Sequence, residues 1–134
     1  IDIFLTGIGT SGTICGVGET LKKFNSNILI YGVEPQSSPL LTKGYFGSHK
    51  IQGIGANFVP KTYNSSVVDK VLTAKDEDAF SMAKTLMKKE GVFVGISSGA
   101  AMSVAIQLAQ QEMYKDKNIV VILPDTGERY LSVW

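Results

Sequence analysis

The stretch TGIGTSGT, residues 6–13, constrains this chain more than any other. It follows the apolar run IDIFL and precedes ICGVGETLKKF, which carries apolar residues at 14, 17, 21 and 24. Gly7, Gly9 and Gly12 form a G-x-G-x-x-G turn between a strand and a helix, the junction at which α/β proteins grip phosphates. Two ligands fit these residues. A dinucleotide is one, because Glu34 stands 22 residues after Gly12, near the ribose-binding position. A single phosphate is the other, because Thr10, Ser11 and Thr13 surround a helix start whose N–H groups lack intrahelical acceptors. A purely structural turn, with Thr10 or Thr13 capping the helix, is the plain alternative.

The rest of the chain alternates strand and helix signals. Residues 1–6 read as a strand and 13–24 as a helix, with Gly16 and Gly18 suggesting close packing on a sheet. ILIYGV, 28–33, is a continuous apolar run of the kind buried on both faces of a parallel sheet. From 36 to 63 periodicity fades into a long irregular connection, which in a compact domain is usually functional or disordered. KVLTA, 70–74, predicts a strand. A helix over 76–90 follows, opened by Asp76, Glu77 and Asp78 and closed by Lys88, Lys89 and Gly91. A helix over about 100–114 and a buried strand NIVVIL, 118–123, complete the pattern. The fold class is therefore α/β with a doubly wound parallel sheet.

Bulk properties exclude several classes. Thirteen basic residues balance 12 acidic ones, and neither sign forms a run of five or more, so no electrostatic footprint for nucleic acid or an anionic membrane is expected. No apolar run reaches the ~18 residues of a membrane span, and no leader pattern opens the chain, so a cytoplasmic location is expected. Cys15 is the single cysteine and reads as a small buried hydrophobe. The single histidine, His49, has no partner at ligand spacing, so no metal site is expected.

Two more motifs sit where ligands bind in open α/β sheets. GISSGAA, 95–101, lies between an apolar run and a helix, and Ser97 or Ser98 would serve as a helix N-cap. LPDTGERYL, 123–131, follows the carboxyl end of the last strand.

In their joint order, the glycine-threonine turn, YGVEP, GSHKIQGIGANFVP, EDAFSMAKTLMKKEG, GISSGAA and PDTGERYLS resemble the β-family (fold type II) of pyridoxal-phosphate enzymes, and within it the cysteine synthase (O-acetylserine sulfhydrylase) group. The likeness covers the whole chain and favours a phosphate cup over a dinucleotide site. It implies that pyridoxal 5'-phosphate is held through its phosphate by Gly9, Thr10, Ser11, Gly12 and Thr13. The family usually has glycine where Ser11 stands. The resemblance further implies that Ser97 faces the ring nitrogen, and that Gly53 and Gly55 lie beside the substrate. Pro124 and Asp125 would lie near the ring edge.

None of the twelve lysines sits in the family's Schiff-base motif, which precedes this region, so no catalytic residue is expected within the chain. Residues 1–134 thus resemble a single α/β domain, the C-terminal fragment of a longer two-domain enzyme, inactive alone. The implied reaction is β-replacement on O-acetyl-L-serine by sulfide, giving L-cysteine and acetate in a homodimer. Cystathionine β-synthase-like replacement is the nearest alternative; a dinucleotide-binding oxidoreductase and a non-catalytic binding module are readings from other classes. Serine acetyltransferase is a possible partner, although Tyr45 and Phe46 in KGYFGSHK depart from the family's polar and proline residues while His49 and Lys50 remain.

Overall fold

The computed structural model describes residues 1–133. Strand β1 (Ile3–Gly7) leads to helix α1 (Gly12–Phe24), then β2 (Leu29–Pro35), a one-turn helix α2 (Leu40–Lys43), β3 (Lys70–Ala74), helices α3 (Asp76–Glu90) and α4 (Ile96–Ala109), and a short strand β4 (Ile119–Val121). The three strand pairings within the sheet are parallel and the strand order is β3-β2-β1-β4. The chain thus builds outward from β1 through β2 to β3, then returns to lay β4 on the other side of β1. That reversal makes the carboxyl ends of β1 and β4 a topological switch point, where ligands enter open α/β sheets.

Alternation along the strands assigns the two faces. Ile3, Leu5, Tyr31 and Val33 pack with Ala100, Val104 and Leu108 of α4, while Phe4 and Ile30 pack with Ile14 and Cys15 of α1. Helices on both faces explain why β1 and β2 read as unbroken apolar runs. Tyr31 and Tyr114 meet edge to face inside the first cluster, their hydroxyl oxygens 2.8 Å apart. Burial first, and then that hydroxyl contact, hold the Tyr31 phenol well above the ordinary tyrosine range.

Helix α3 matches its predicted bounds, with three acidic residues at its amino end, two lysines at its carboxyl end and Gly91 in the left-handed conformation as C-cap. Other expectations shift. Helix α4 begins four residues before Ala100 and ends at Ala109; its N-cap is Gly95, so neither Ser97 nor Ser98 caps it. The last strand shortens to three residues. In α1 the buried residues are Ile14, Cys15 and Gly18, whereas Val17 is exposed and Phe24 is 88% exposed. A Cβ on Gly18 would lie 2.7 Å from Val67 and 3.1 Å from Ile30, so the helix rests on the sheet there; Gly16 faces open space.

Candidate cofactor site

The glycine turn leaves β1 and reverses into α1 through Ser11, whose φ of 71° places it in the left-handed region. The first bond into the helix runs from Cys15 N–H to Ser11 O, 3.0 Å. The amides of residues 12–14 therefore have no intrahelical acceptor and carry the positive end of the helix dipole. Thr10, Gly12 and Thr13 are exposed there, while Ser11 is only 3% exposed and its Oγ has no hydrogen-bond partner.

These groups form one wall of a cavity of about 300 Å³. Gly53 and Ile54 form a second wall, Ser97 a third, and Pro124, Asp125 and Tyr130 close it. Four segments far apart in the sequence, at residues 6–14, 53–54, 97 and 122–130, thus meet at the switch point. No hydrogen bond ties Ser97 Oγ to another described residue, and it lies 3.9 Å from where a Cβ on Gly53 would stand. Gly53 has a φ of 93°, which favours glycine. Gly55 lies outside this cavity: the Pro35 ring and His49 Nε2 fill the space a side chain would need.

The connection after β2 is stitched onto the glycine turn. Gly55 N–H donates to Ile8 O at 3.1 Å, and Thr62 Oγ1 donates to the Thr10 carbonyl. A Cβ on Gly9 would sit 2.5 Å from the Gly53 carbonyl oxygen, so glycine is required for the two segments to touch. Ile51 and Ile54 anchor the connection in the core.

Asp125 fixes the opposite wall. Its Oδ1 accepts both Ser98 Oγ–H and Ser98 N–H, and Gly95 N–H donates to its main-chain oxygen at 3.1 Å. Its Oδ2 is buried without a partner, beside Gly95 and the Tyr130 ring. Burial, then the Asp125 carboxylate, push the Tyr130 phenol up. Sequence reasoning had no local signal for the Asp125–Ser98 link, because the two are 27 residues apart.

Glu34 is not available to a ribose. It is 3% exposed, and its carboxylate accepts Leu41 N–H, Thr42 N–H and Thr42 Oγ1–H at 2.9, 2.9 and 2.7 Å, holding the amino end of α2. The dinucleotide reading loses its second element. Amides and hydroxyls at a helix start, with glycine where backbone must approach, fit a monophosphate, and the buried unpaired Ser11 hydroxyl lies in the same turn.

A fold of parallel strands with a phosphate cup at its switch point and a lone serine across the cavity defines a cofactor-binding α/β domain. Residues 1–125 match the family model of pyridoxal-phosphate dependent enzymes, and the chain belongs to that family. It is 55% identical over 132 residues to cysteine synthase B of Campylobacter jejuni, covering 98% of this chain and 43% of that protein. It superposes on O-acetyl serine sulfhydrylase isoform 3 of Entamoeba histolytica with a TM-score of 0.96 at 45% identity, over 98% of this chain and 39% of that one. A hydrogen sulfide-producing enzyme of Fusobacterium nucleatum gives a TM-score of 0.92 at 44% identity, over 98% and 44%. The chain therefore spans less than half the length of the relatives it matches. Among the described residues no helix is long and apolar enough to cross a membrane.

Proposed function

We propose that residues 1–134 supply the cofactor cradle of a two-domain enzyme that replaces the β-substituent of O-acetyl-L-serine with sulfide, yielding L-cysteine and acetate. The observation that carries this reading is the meeting of Gly9–Thr13, Ser97 and Gly53 in one cavity, together with the similarity to cysteine synthases. The amides of residues 12–14 and the Thr10 and Thr13 hydroxyls would hold the phosphate, and Ser97 the ring nitrogen. Bound pyridoxal phosphate supplies an electron sink for the substrate's α-carbon. Ser97 offers the ring a neutral hydroxyl rather than a carboxylate, which suits loss of a β-leaving group more than transamination. Gly53 leaves room beside that ring for the amino-acid part of the substrate.

This reading needs a Schiff-base lysine from outside residues 1–134. The same reading carries a homodimer in the cytoplasm. Tyr45 and Phe46 are exposed on the loop that also holds His49, so binding to serine acetyltransferase is the least supported part of it.

The test is an assay of the full-length protein with O-acetyl-L-serine and sulfide. Stoichiometric L-cysteine and acetate are expected. Cystathionine from serine and homocysteine at a higher kcat/KM would transfer the protein to the nearest alternative, and release of sulfide from L-cysteine as the dominant reaction would align it with the Fusobacterium enzyme. Tight nicotinamide dinucleotide binding without pyridoxal phosphate would overturn the reading.

A further inference from the structure

His49 uses both ring nitrogens inside its own loop. Ile51 N–H donates to Nδ1 at 3.1 Å, and Nε2 lies 3.0 Å from the Gly55 carbonyl oxygen. An amide N–H only donates and a carbonyl only accepts, so Nδ1 carries no hydrogen and Nε2 carries one. The ring is neutral and its tautomer is fixed. It thereby closes residues 49–55 into a loop with Gly53 at its exposed tip. Two hydrophobic anchors, Ile51 and Ile54, flank Gly53 on either side. Ile54 lines the cavity alongside Gly53, and the Gly53 carbonyl lies against Gly9.

We propose that His49 is a positioning residue whose two ring bonds hold the Gly53 turn against the cavity; this rests on the reading of that cavity as the substrate site. The charged groups around the ring are Lys50 on the same loop and Asp76 and Glu77 at the amino end of α3, with the Tyr130 hydroxyl from the closing turn; all line the groove beside His49. Pro35 of β2 is packed against Gly55 on the other side and carries no charge. Asp76 Oδ2 accepts Lys50 N–H at 3.2 Å and so fixes the main chain next to His49 independently of the ring.

The full-length protein, His49→Ala and His49→Asn distinguish this role from simple packing. Asparagine can accept the Ile51 N–H in an Asx turn but does not titrate. At pH 8 the alanine variant should raise KM for the amino-acid substrate about three- to tenfold, the loss expected for one or two hydrogen bonds, with kcat and cofactor affinity within about twofold. The asparagine variant should recover part of that loss. An unchanged KM in His49→Ala, or no recovery in His49→Asn, overturns the proposal.

Amide hydrogen exchange of the peptide spanning residues 49–56 gives a readout that needs no substrate. The Ile51 amide should be protected at pH 8 in the parent and in His49→Asn, and exposed in His49→Ala. Equal protection in all three overturns the latch. Loss of protection in the alanine variant, in a protein that fails to make cysteine, keeps the latch and overturns the substrate assignment instead.

Discussion

One carboxylate oxygen of Asp125 accepts both the hydroxyl and the amide hydrogen of Ser98. Helix α4 has no side-chain cap of its own, so a residue 27 positions later performs that task and sets the first turn, where Ser97 lies. Asp125→Ala removes the carboxylate acceptor of the Ser98 amide and leaves the Ser98 hydroxyl only its longer bond to the main-chain oxygen of residue 125, 3.3 Å, and should cost about 1–3 kcal/mol in urea denaturation. Asp125→Asn keeps an acceptor oxygen and should recover most of it. Equal stability of the alanine variant and the parent would mean that Ser98 finds another partner.

This link also marks where the sequence stops being legible. Helix α3 declares itself through Asp76–Asp78, Lys88, Lys89 and Gly91, all local signals of dipole and cap. The start of α4 does not, because serine in ISSG has the chemistry of an N-cap while the actual cap is Gly95 and its support comes from Asp125. The stripe at 14, 17, 21 and 24 has the right period for α1, but the buried face is centred on Ile14, Cys15 and Gly18, since Val67 and Ile30 leave room for a glycine there. Helix α2 has no periodicity to detect; it exists because the Glu34 carboxylate holds its first amides. The three motifs were each legible, but their meeting in one cavity depends on β4 returning beside β1, which is a property of strand order.

Gly9 tests the contact between the cup and the connection that carries Gly53. A methyl group there would press on the Gly53 carbonyl oxygen, a backbone atom that cannot rotate away. Gly9→Ala should cost about 1–3 kcal/mol, the range for overpacking, and should lower affinity for pyridoxal phosphate in the full-length protein. Urea midpoints and cofactor titration check both effects. Parental values in each would show that residues 53–55 move aside freely.

Ser11→Gly should act in the opposite direction on the cofactor-free protein. Serine at a φ of 71° is held in the left-handed region, which disfavours residues with a Cβ by roughly 1–2 kcal/mol, and its buried hydroxyl has no partner. Glycine removes both penalties, so the urea midpoint should rise by the equivalent of about 1 kcal/mol. A lower midpoint would show that the hydroxyl stabilises the turn.

The Tyr31–Tyr114 pair predicts an alkaline limb of stability. A phenol whose folded pKa lies above its unfolded value binds its proton more tightly in the folded chain. Its contribution is therefore complete below about pH 10 and declines as pH rises beyond that value. The raised Tyr31 pKa should add a fall of about 1.4 kcal/mol per pH unit for one proton above pH 10. Tyr31→Phe should lose about 1 kcal/mol at neutral pH with the hydroxyl contact, yet decline less steeply between pH 10 and 11. Parallel denaturation profiles for the two proteins would remove Tyr31 as the source.

Ser97→Asp separates a role toward the cofactor ring from a role in the helix alone. Gly95 is the N-cap of α4, so residue 97 lies in the first turn, where a carboxylate gains about 0.3–1 kcal/mol from the helix dipole. Against this, residue 97 is 4% exposed and shares the cavity wall with Asp125, so burial and a like charge both raise the new carboxyl's pKa. The fold should survive with a small change in stability. If the side chain faces the pyridine nitrogen, a carboxylate would favour a proton there and change the ring's electronics. In the full-length protein the cofactor's absorbance should then shift and turnover with O-acetyl-L-serine should slow. Ser97→Ala should be milder in both respects, because an unprotonated nitrogen needs no donor to stay neutral. A parental spectrum and parental turnover in the aspartate variant would leave Ser97 as a wall of the cavity with no contact to the ring.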